Sequence, residues 1–223
     1  MNKNFKGGMI PDEISGQYNV EQKSRYRQFY ENYKIVILSS LSAILIIVLT
    51  FSFFTYSKNK KKISIAKNYI SANLSLQNDN RVEALNILNK IIYEDDPTYS
   101  TMSLFLILNE NLEVDKTKIL LLFQHILENN NFDDEIKNLI ILKKAIFETN
   151  FDDEQLLLNT INPLINEDTV WKANALMLAG NYYISKGENL KAKDFFLKIL
   201  STKNINNKFI EQANHQLQLI QND

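Results

Sequence analysis

Two histidines are the first candidates for chemistry in this sequence. His125 and His215 are the only residues of this type. His125 lies in an apolar stretch, which predicts a packed or boundary side chain and not a ligand. His215 lies in a polar segment near the C-terminus, which predicts an exposed side chain. Neither has a neighbouring serine or cysteine in a nucleophile–base pattern.

Two acidic pairs are the second candidates, at Asp133–Asp134 and Asp152–Asp153. Paired carboxylates can act as general acid and base. Each pair, however, precedes an apolar periodic segment, and acidic residues favour the positive end of a helix dipole. The chain also lacks a glycine-rich phosphate loop and zinc-ligand spacing. We therefore predict no enzyme, no cofactor, no metal site and no small-molecule substrate.

Composition narrows the fold and the partners. The 25 basic and 26 acidic residues give a net charge of −1, so no affinity for nucleic acid is expected. The absence of cysteine fits either side of a membrane. With only five glycines and three prolines, the sequence favours an all-α fold over a turn-rich β fold.

Residues 35–56 read IVILSSLSAILIIVLTFSFFTY and contain no charged residue, glycine or proline. A helix of about 22 residues is roughly 33 Å long, which matches a hydrocarbon core of about 30 Å. The apolar run is longer than that of a signal peptide, and no small-residue cleavage site follows it. We predict an uncleaved single-pass anchor, with residues 1–34 as a partly disordered tail, 35–57 as the transmembrane helix and 58–223 as a helical domain.

The tail has two parts. Residues 1–14 contain two glycines and one proline and few apolar side chains, which predicts disorder. Further on, Tyr26, Phe29, Tyr30 and Tyr33 follow helical spacing and share one face. This face is either an interfacial amphipathic segment on anionic headgroups or the first turns of the anchor helix.

Charge bias does not fix the orientation of the anchor, because basic residues are almost balanced across it. They are Lys23, Arg25, Arg27 and Lys34 before the span, and Lys58, Lys60, Lys61, Lys62 and Lys67 after it. Inside the span, Ser39 and Ala43 form a small-xxx-small pair. This pair is either a contact for another helix or a pair of residues that a single span simply tolerates.

The domain is predicted to repeat a helical pair. Apolar segments of helical period alternate with breaks, and the steps between second helices are roughly 35–37 residues, close to a 34-residue helix–turn–helix repeat. Four pairs and a closing helix are implied. Those second helices are predicted to begin near Asn80, Asp115, Asp152 and Asn189. Thr98 is predicted to cap the segment after Pro97, and Asp168 or Thr169 to start the segment that includes Trp171.

The last pair carries the clearest pattern, because residues 180–196 resemble a tetratricopeptide repeat. The residues that carry the resemblance are Gly180 and Ala192 at the helix contact, Tyr183 and Phe196 as packing aromatics, and Gly187 in the turn. The sequence departs from the repeat at Leu176, Ile199 and Asn204, where tryptophan, alanine and proline are usual. Ala84 and Leu88 fit the second helix of the first pair.

Over almost its full length the chain resembles the bacterial membrane-anchored tetratricopeptide-like proteins that are ancillary subunits of the SecYEG translocon. The specific residues are Trp171, Ala173, Ala175, Gly180, Lys186, Gly187 and Ala192. The resemblance implies a cytoplasmic tail, an inner-membrane anchor and a periplasmic domain. It also implies association with the translocon and with periplasmic chaperones that receive exported chains.

Solenoids bind partners along a groove formed by their first helices. In the last pair the groove-facing candidates are Asn174, Met177, Asn181 and Ile184. Their mixed apolar and amide character suits extended or apolar segments. Alternatively, these positions pack on the closing helix. Trp171 is either a core residue or a binding anchor.

Two functions follow as hypotheses. The first is a membrane-anchored interaction protein of the export machinery that links the translocon to periplasmic chaperones or exported chains. The second is another membrane-tethered scaffold, for envelope assembly or division, whose domain could instead face the cytoplasm. In both cases the predicted partners are the lipid bilayer and other proteins.

Overall fold

The computed structural model describes the backbone of residues 13–222 and the side chains of residues 25–221. These residues form nine α-helices and no strand, so the all-α prediction is confirmed. The helices are α1 (Glu13–Gln77), α2 (Arg81–Ile92), α3 (Pro97–Asn109), α4 (Lys116–Asn129), α5 (Asp134–Glu148), α6 (Glu154–Asn166), α7 (Lys172–Ser185), α8 (Asn189–Ser201) and α9 (Asn207–Asn222).

The chain divides into two compact units, Met1–Lys61 and Lys62–Asp223. This boundary lies close to the predicted one at residues 57 and 58. Of residues 1–14, where disorder is predicted, 1–12 lie outside the described range, and Glu13 and Ile14 begin α1.

The described part of the first unit, residues 13–61, is helical and belongs to α1. α1 is long and apolar enough to cross a membrane, and its apolar stretch is not buried in the protein. The hydroxyls of Ser39, Ser40 and Thr55 each donate to a carbonyl of the preceding turn at 2.9 Å. Backbone groups in lipid must be satisfied internally. In this stretch the same helix also provides acceptors for these three side-chain hydroxyls.

In the second unit α1 contributes residues 62–77 as the first helix of the first pair. The pairs α3–α4, α5–α6 and α7–α8 follow, and α9 packs on α8 at the end. The second helices share one register from their N-cap residues Asn80, Asp115, Asp153 and Glu188. The residue eight positions later is fully buried in every pair: Leu88, Phe123, Ile161 and Phe196.

Three of the four pairs turn in the same way. Asp79, Asn111 and Gly187 have φ values of 60°, 48° and 72° just after the first helix. The next residue donates its N–H back to the helix, as in Glu188 N to Tyr183 O at 2.9 Å and Leu112 N to Ile107 O at 3.0 Å. This pattern is the Schellman C-cap, which needs a residue in the left-handed region.

Two predicted helix starts are wrong. Thr98 does not cap α3. Instead Asp96 is the N-cap, and its Oδ1 accepts from the backbone N–H groups of Thr98 and Tyr99 at 3.1 and 2.9 Å. The reason is Pro97, which favours the first helical position and so places the cap one residue earlier.

The start of α7 is also shifted from Asp168 or Thr169. Trp171 is its N-cap, and the helix begins at Lys172. The Thr169 hydroxyl accepts from the Trp171 N–H at 3.2 Å. The hydroxyl therefore closes a turn that precedes the helix, and this turn has the same local chemistry as a cap.

The buried side chains form two clusters. The N-terminal core extends from Ile65 to Ile140 and the C-terminal core from Leu142 to Leu217. α5 contributes to both, with Ile140 in the first and Ala145 in the second. The domain is therefore a row of helix pairs with two cores that meet at α5.

Candidate partner-binding surface

In the last pair, α7 and α8 pack closely where the ring of Phe196 lies against Gly180. Gly180 and Phe196 are both buried. A Cβ atom added at Gly180 would lie 2.4 Å from Cε1 of the Phe196 ring. Real Cβ atoms do not approach a ring this closely, so only glycine fits here without a shift of the ring. Ala192, also fully buried, lies one turn before Phe196 on α8.

Tyr183 is the centre of a polar and aromatic contact that the sequence pattern does not show. Its ring stacks on Phe195 with centroids 5.5 Å apart and planes at 16°. Its hydroxyl donates to Glu154 Oε1 at 2.7 Å. Burial raises the pKa of the Tyr183 hydroxyl, and the Glu154 carboxylate raises it further. Tyr183 therefore joins the last pair to the start of α6.

Glycine at position 187 is favoured by the backbone conformation, and not by a lack of space for a side chain. Its φ is +72°, and nothing lies within 4 Å of an added Cβ.

Trp171, the N-cap of α7, is half-buried and packs on the C-terminal core. Its indole Nε1 donates to the Glu135 carbonyl at 2.9 Å, which ties α7 to the first turn of α5. Trp171 thus acts as a packing residue in this structure.

The structure separates the four groove candidates. Met177 and Asn181 line a cleft of about 440 Å³ with residues of α9 that include Lys208 and His215. Asn174 is half-buried and is not part of this cleft. Ile184 packs against the C-terminal core. The four residues therefore do not share one open groove, because α9 forms the other wall of the cleft at Met177 and Asn181 whereas Ile184 packs on the core.

The small residues of the span, Ser39 and Ala43, are exposed on α1. The Ser39 hydroxyl donates to the Val36 carbonyl at 2.9 Å. Its hydrogen-bonding need is therefore met without another helix. A partner helix could still approach closely here, because the two side chains are small.

The acidic pairs serve helix starts and ion pairs. Asp153 Oδ1 accepts from Leu156 N–H at 3.0 Å as the cap of α6. Asp152 pairs with Lys186 at 2.5 Å, and this bond lowers the pKa of Asp152 and raises the pKa of Lys186. Asp133 is the N-cap of α5 and makes no side-chain cap bond.

The two histidines are not brought together with other ligands. His125 Nε2 lies 2.8 Å from Asp95 Oδ1, and its ring lies 4.4 Å from that of Tyr93. His215 is exposed on α9. Among the residues that the structure describes, no three His, Asp or Glu side chains are placed to hold a metal ion.

Several contacts that sequence reasoning missed join residues about one repeat apart. Asp152 bonds Lys186 over 34 residues, Lys116 Nζ donates to the Asn150 carbonyl over 34, and Lys191 bonds Glu154 over 37. Glu188 and Glu154 raise the pKa of Lys191, while Tyr183 and Lys191 lower the pKa of Glu154. A search for opposite charges at the repeat spacing would have found both ion pairs.

A second cleft lies in the middle of the domain, and none of its lining residues was singled out from the sequence. It has a volume of about 510 Å³ and opens between the end of α3, the loop after it, the start of α4 and the end of α5. Its lining includes the buried Ile107 and Ile119, the exposed Val114 and the charged Lys116 and Lys143. No periodic pattern marks it, because its residues come from four different segments.

Known proteins give no further guide to these surfaces. No family model, curated protein or solved structure matches the chain. The function must therefore be argued from the geometry itself.

That geometry offers clefts with apolar and amide linings on a row of helix pairs. Such surfaces can hold a polypeptide segment through contacts with its side chains. The larger cleft is lined by two lysines, one glutamate and asparagines, whereas the smaller one is lined by one lysine, one glutamate, His215 and amides. The two clefts therefore differ in the charge of the segment that each one suits.

Proposed function

We propose that this chain is a membrane-anchored interaction protein that holds other proteins close to the membrane. The observation that carries the proposal is a helix long and apolar enough to span a bilayer, on the same chain as a row of helix pairs with open clefts. An exposed apolar run of this length is stable in lipid and is a liability in water. Helix-pair arrays in turn present extended binding surfaces.

The partners that the resemblance suggests are the SecYEG translocon, periplasmic chaperones and exported chains. The proposal places a single-pass anchor in the inner membrane and the domain in the periplasm. Support comes from the residues on which the resemblance rests. Gly180, Ala192, Ala175 and Ala173 are buried small residues, and Gly187 forms the turn. They occupy the structural positions that such a repeat requires.

Attachment to the membrane explains how clefts of modest affinity can be enough to bind a partner. A partner held by the anchor meets the domain at a high effective concentration, so two weak contacts act together. In this mechanism Ser39 and Ala43 contact a helix of the translocon in the membrane, and Met177 and Asn181 contact a chaperone or exported chain. No turnover is involved.

Orientation is tested first, by fusion of alkaline phosphatase or of a cytoplasmic fluorescent reporter after Asp223. The proposal expects an active phosphatase and a dark fluorescent fusion, because the phosphatase matures only outside the cytoplasm. An inactive phosphatase beside a bright reporter would favour the cytoplasm-facing scaffold instead.

Partner contact is tested by photo-crosslinking in intact cells. A photoreactive side chain is placed at Ser39, at Asn181, or at the exposed Asn162 on α6 as a control. We expect translocon adducts from Ser39, adducts with a chaperone or an exported chain from Asn181, and neither from Asn162. Equal adducts from all three positions, or none with translocon subunits, would contradict the export assignment.

A further inference from the structure

The central cleft has the shape of a side-chain subsite. Its floor includes Ile107 and Ile119, which are 0% and 4% exposed, and Phe147 forms part of its wall. At the edge, Val114 is 88% exposed and Ile146 is 44% exposed. A volume of about 510 Å³ lies within the range of roughly 300–1,000 Å³ that is typical of ligand sites. A large apolar side chain can therefore enter between these edges.

Hydrogen bonds to residues 110–112 hold the loop that carries Val114. Val114 is therefore exposed on an ordered loop. Arg81 Nη2 donates to the Glu110 carbonyl, and it lies 3.4 Å from the Asn111 carbonyl. Leu112 N–H donates to the Ile107 carbonyl at 3.0 Å, which completes the C-cap of α3. A rigid loop that presents an apolar side chain loses little entropy when a partner binds.

Two lysines and one glutamate line the cleft, so positive charges are in excess. Glu113 is nearly covered, accepts from the Asp115 N–H at 2.9 Å and pairs with Lys118 at 3.7 Å. Lys116 donates to the Asn150 carbonyl, and Lys143 lies over the Phe105 ring. Neither lysine has a carboxylate within ion-pair distance among the described residues. Two uncompensated ammonium groups thus flank an apolar floor.

We infer that this cleft binds an extended polypeptide segment in which a large apolar side chain has acidic residues beside it. The apolar side chain enters between Val114 and Ile146, and the carboxylates meet Lys116 and Lys143. This inference deepens the proposed function and rests on it for its biological meaning. The occupant is a non-native or flexible segment, because folded soluble proteins rarely expose large contiguous apolar patches.

The test uses the full chain in nanodiscs of zwitterionic lipid and fluorescence anisotropy with end-blocked, fluorescein-labelled peptides. The acidic peptide carries a Leu–Phe pair followed by two aspartates. A second peptide replaces the aspartates with lysines, and a third replaces the Leu–Phe pair with serines. We expect the acidic peptide to bind more tightly than either of the others and its affinity to fall with added salt.

Two matched pairs of variants locate the site. Val114→Glu should weaken binding of the acidic peptide by about tenfold or more. Leu190→Glu, at an apolar residue 82% exposed on α8, should change it less than about twofold. Lys143→Glu should weaken it by about fivefold. Its control is Lys198→Glu, because Lys198 also lies over a phenylalanine ring, that of Phe195.

The inference is overturned if both members of a pair change affinity alike, or if the lysine peptide binds as tightly as the acidic one. It is also overturned if the chain dimerises and Val114→Glu abolishes the dimer, since a second copy would then fill the cleft. Loss of translocon crosslinks with intact peptide binding would instead remove the export function and leave the cleft assignment standing.

Discussion

The second helix pair, α3–α4, and the last pair, α7–α8, have the same arrangement of helix and turn but differ in the residues at which their helices meet. In both, the first helix ends in the same left-handed turn, at Asn111 and Gly187. Seven residues before that turn the second pair has Leu104 and the last pair has Gly180. The two helices of the last pair approach closely over much more of their length than those of the second pair.

This difference shows how one repeat frame yields either a tight pair or an open one. Gly180 lets the Phe196 ring lie directly on the α7 backbone. Leu104 is fully buried, as is nearly all of Ile119, and both side chains are larger than those of Gly180 and Ala192 at the equivalent positions of the last pair. The cleft of about 510 Å³ opens beside that looser contact. Tight pairs thus give the array stability, and the open pair gives it a surface.

The largest expected effect on stability comes from truncating the buried phenylalanine in the second helix of the second pair and in that of the last pair. Phe123→Ala and Phe196→Ala should each lower the free energy of unfolding by about 3–5 kcal/mol, because both rings are fully buried. Urea unfolding of the full chain in micelles is followed by circular dichroism and by fluorescence of Trp171, the single tryptophan.

Trp171 lies in the C-terminal half, so Phe196→Ala should shift its fluorescence transition more than Phe123→Ala does. Identical fluorescence shifts in the two variants would mean that the two cores unfold as one unit. The comparison between the pairs would then describe packing only and not local stability.

The next effect tests the glycine contact. Gly180→Leu should cost about 1–3 kcal/mol or more, because the new side chain overlaps the Phe196 ring. Asn181→Leu is the control, since Asn181 is the next residue on α7 and is exposed, and it should stay within about 0.5 kcal/mol. If the two variants melt alike, the close approach of α7 and α8 is not what stabilises the last pair.

A smaller effect concerns the helix at which the two cores meet. Glu148 on α5 is fully buried, and Lys144 reaches its Oε1 only at 3.4 Å. Burial raises the pKa of Glu148 above its ordinary value of 4.5, against the opposing effect of Thr160 and Lys144. The folded state therefore binds this proton more tightly than the unfolded state does.

The stabilisation from this proton is complete below pH 4.5 and is lost as pH rises through the folded-state pKa. Glu148→Gln should therefore be more stable than the wild type at neutral pH, by about 1 kcal/mol, and should lose less stability between about pH 5 and pH 8. The measurement is the urea midpoint across that range. Parallel pH profiles would show that the Glu148 pKa is not raised.

The smallest effect compares the turns themselves. Gly187→Ala forces a Cβ into the left-handed region and should cost about 1 kcal/mol. Asn111→Gly should change stability by only a few tenths of a kcal/mol, since asparagine tolerates this region. Thermal unfolding of both variants checks the ranking. A larger loss for Asn111→Gly would mean that its side chain, and not its backbone, maintains the second turn.

The helices were predictable because their signals are local. Asp115 and Asp153 cap where acidic residues precede an apolar period, and Gly187 ends α7 as expected. The caps at Asp96 and Trp171 were missed because threonine, present at residues 98 and 169, is itself a favoured cap residue. The central cleft was not predictable, because Val114 and Ile146 come together only through packing of separate helices.

The closest contacts of the domain join elements no more than two apart along the chain. Loop-closure entropy is therefore low at every step, and such arrays fold rapidly from any local nucleus. For a chain that emerges from its N-terminus, each helix pair can fold as soon as the next pair has left the ribosome. α9 follows α7 and α8 along the chain, so the α7 face on which α9 packs closes after that last pair has formed.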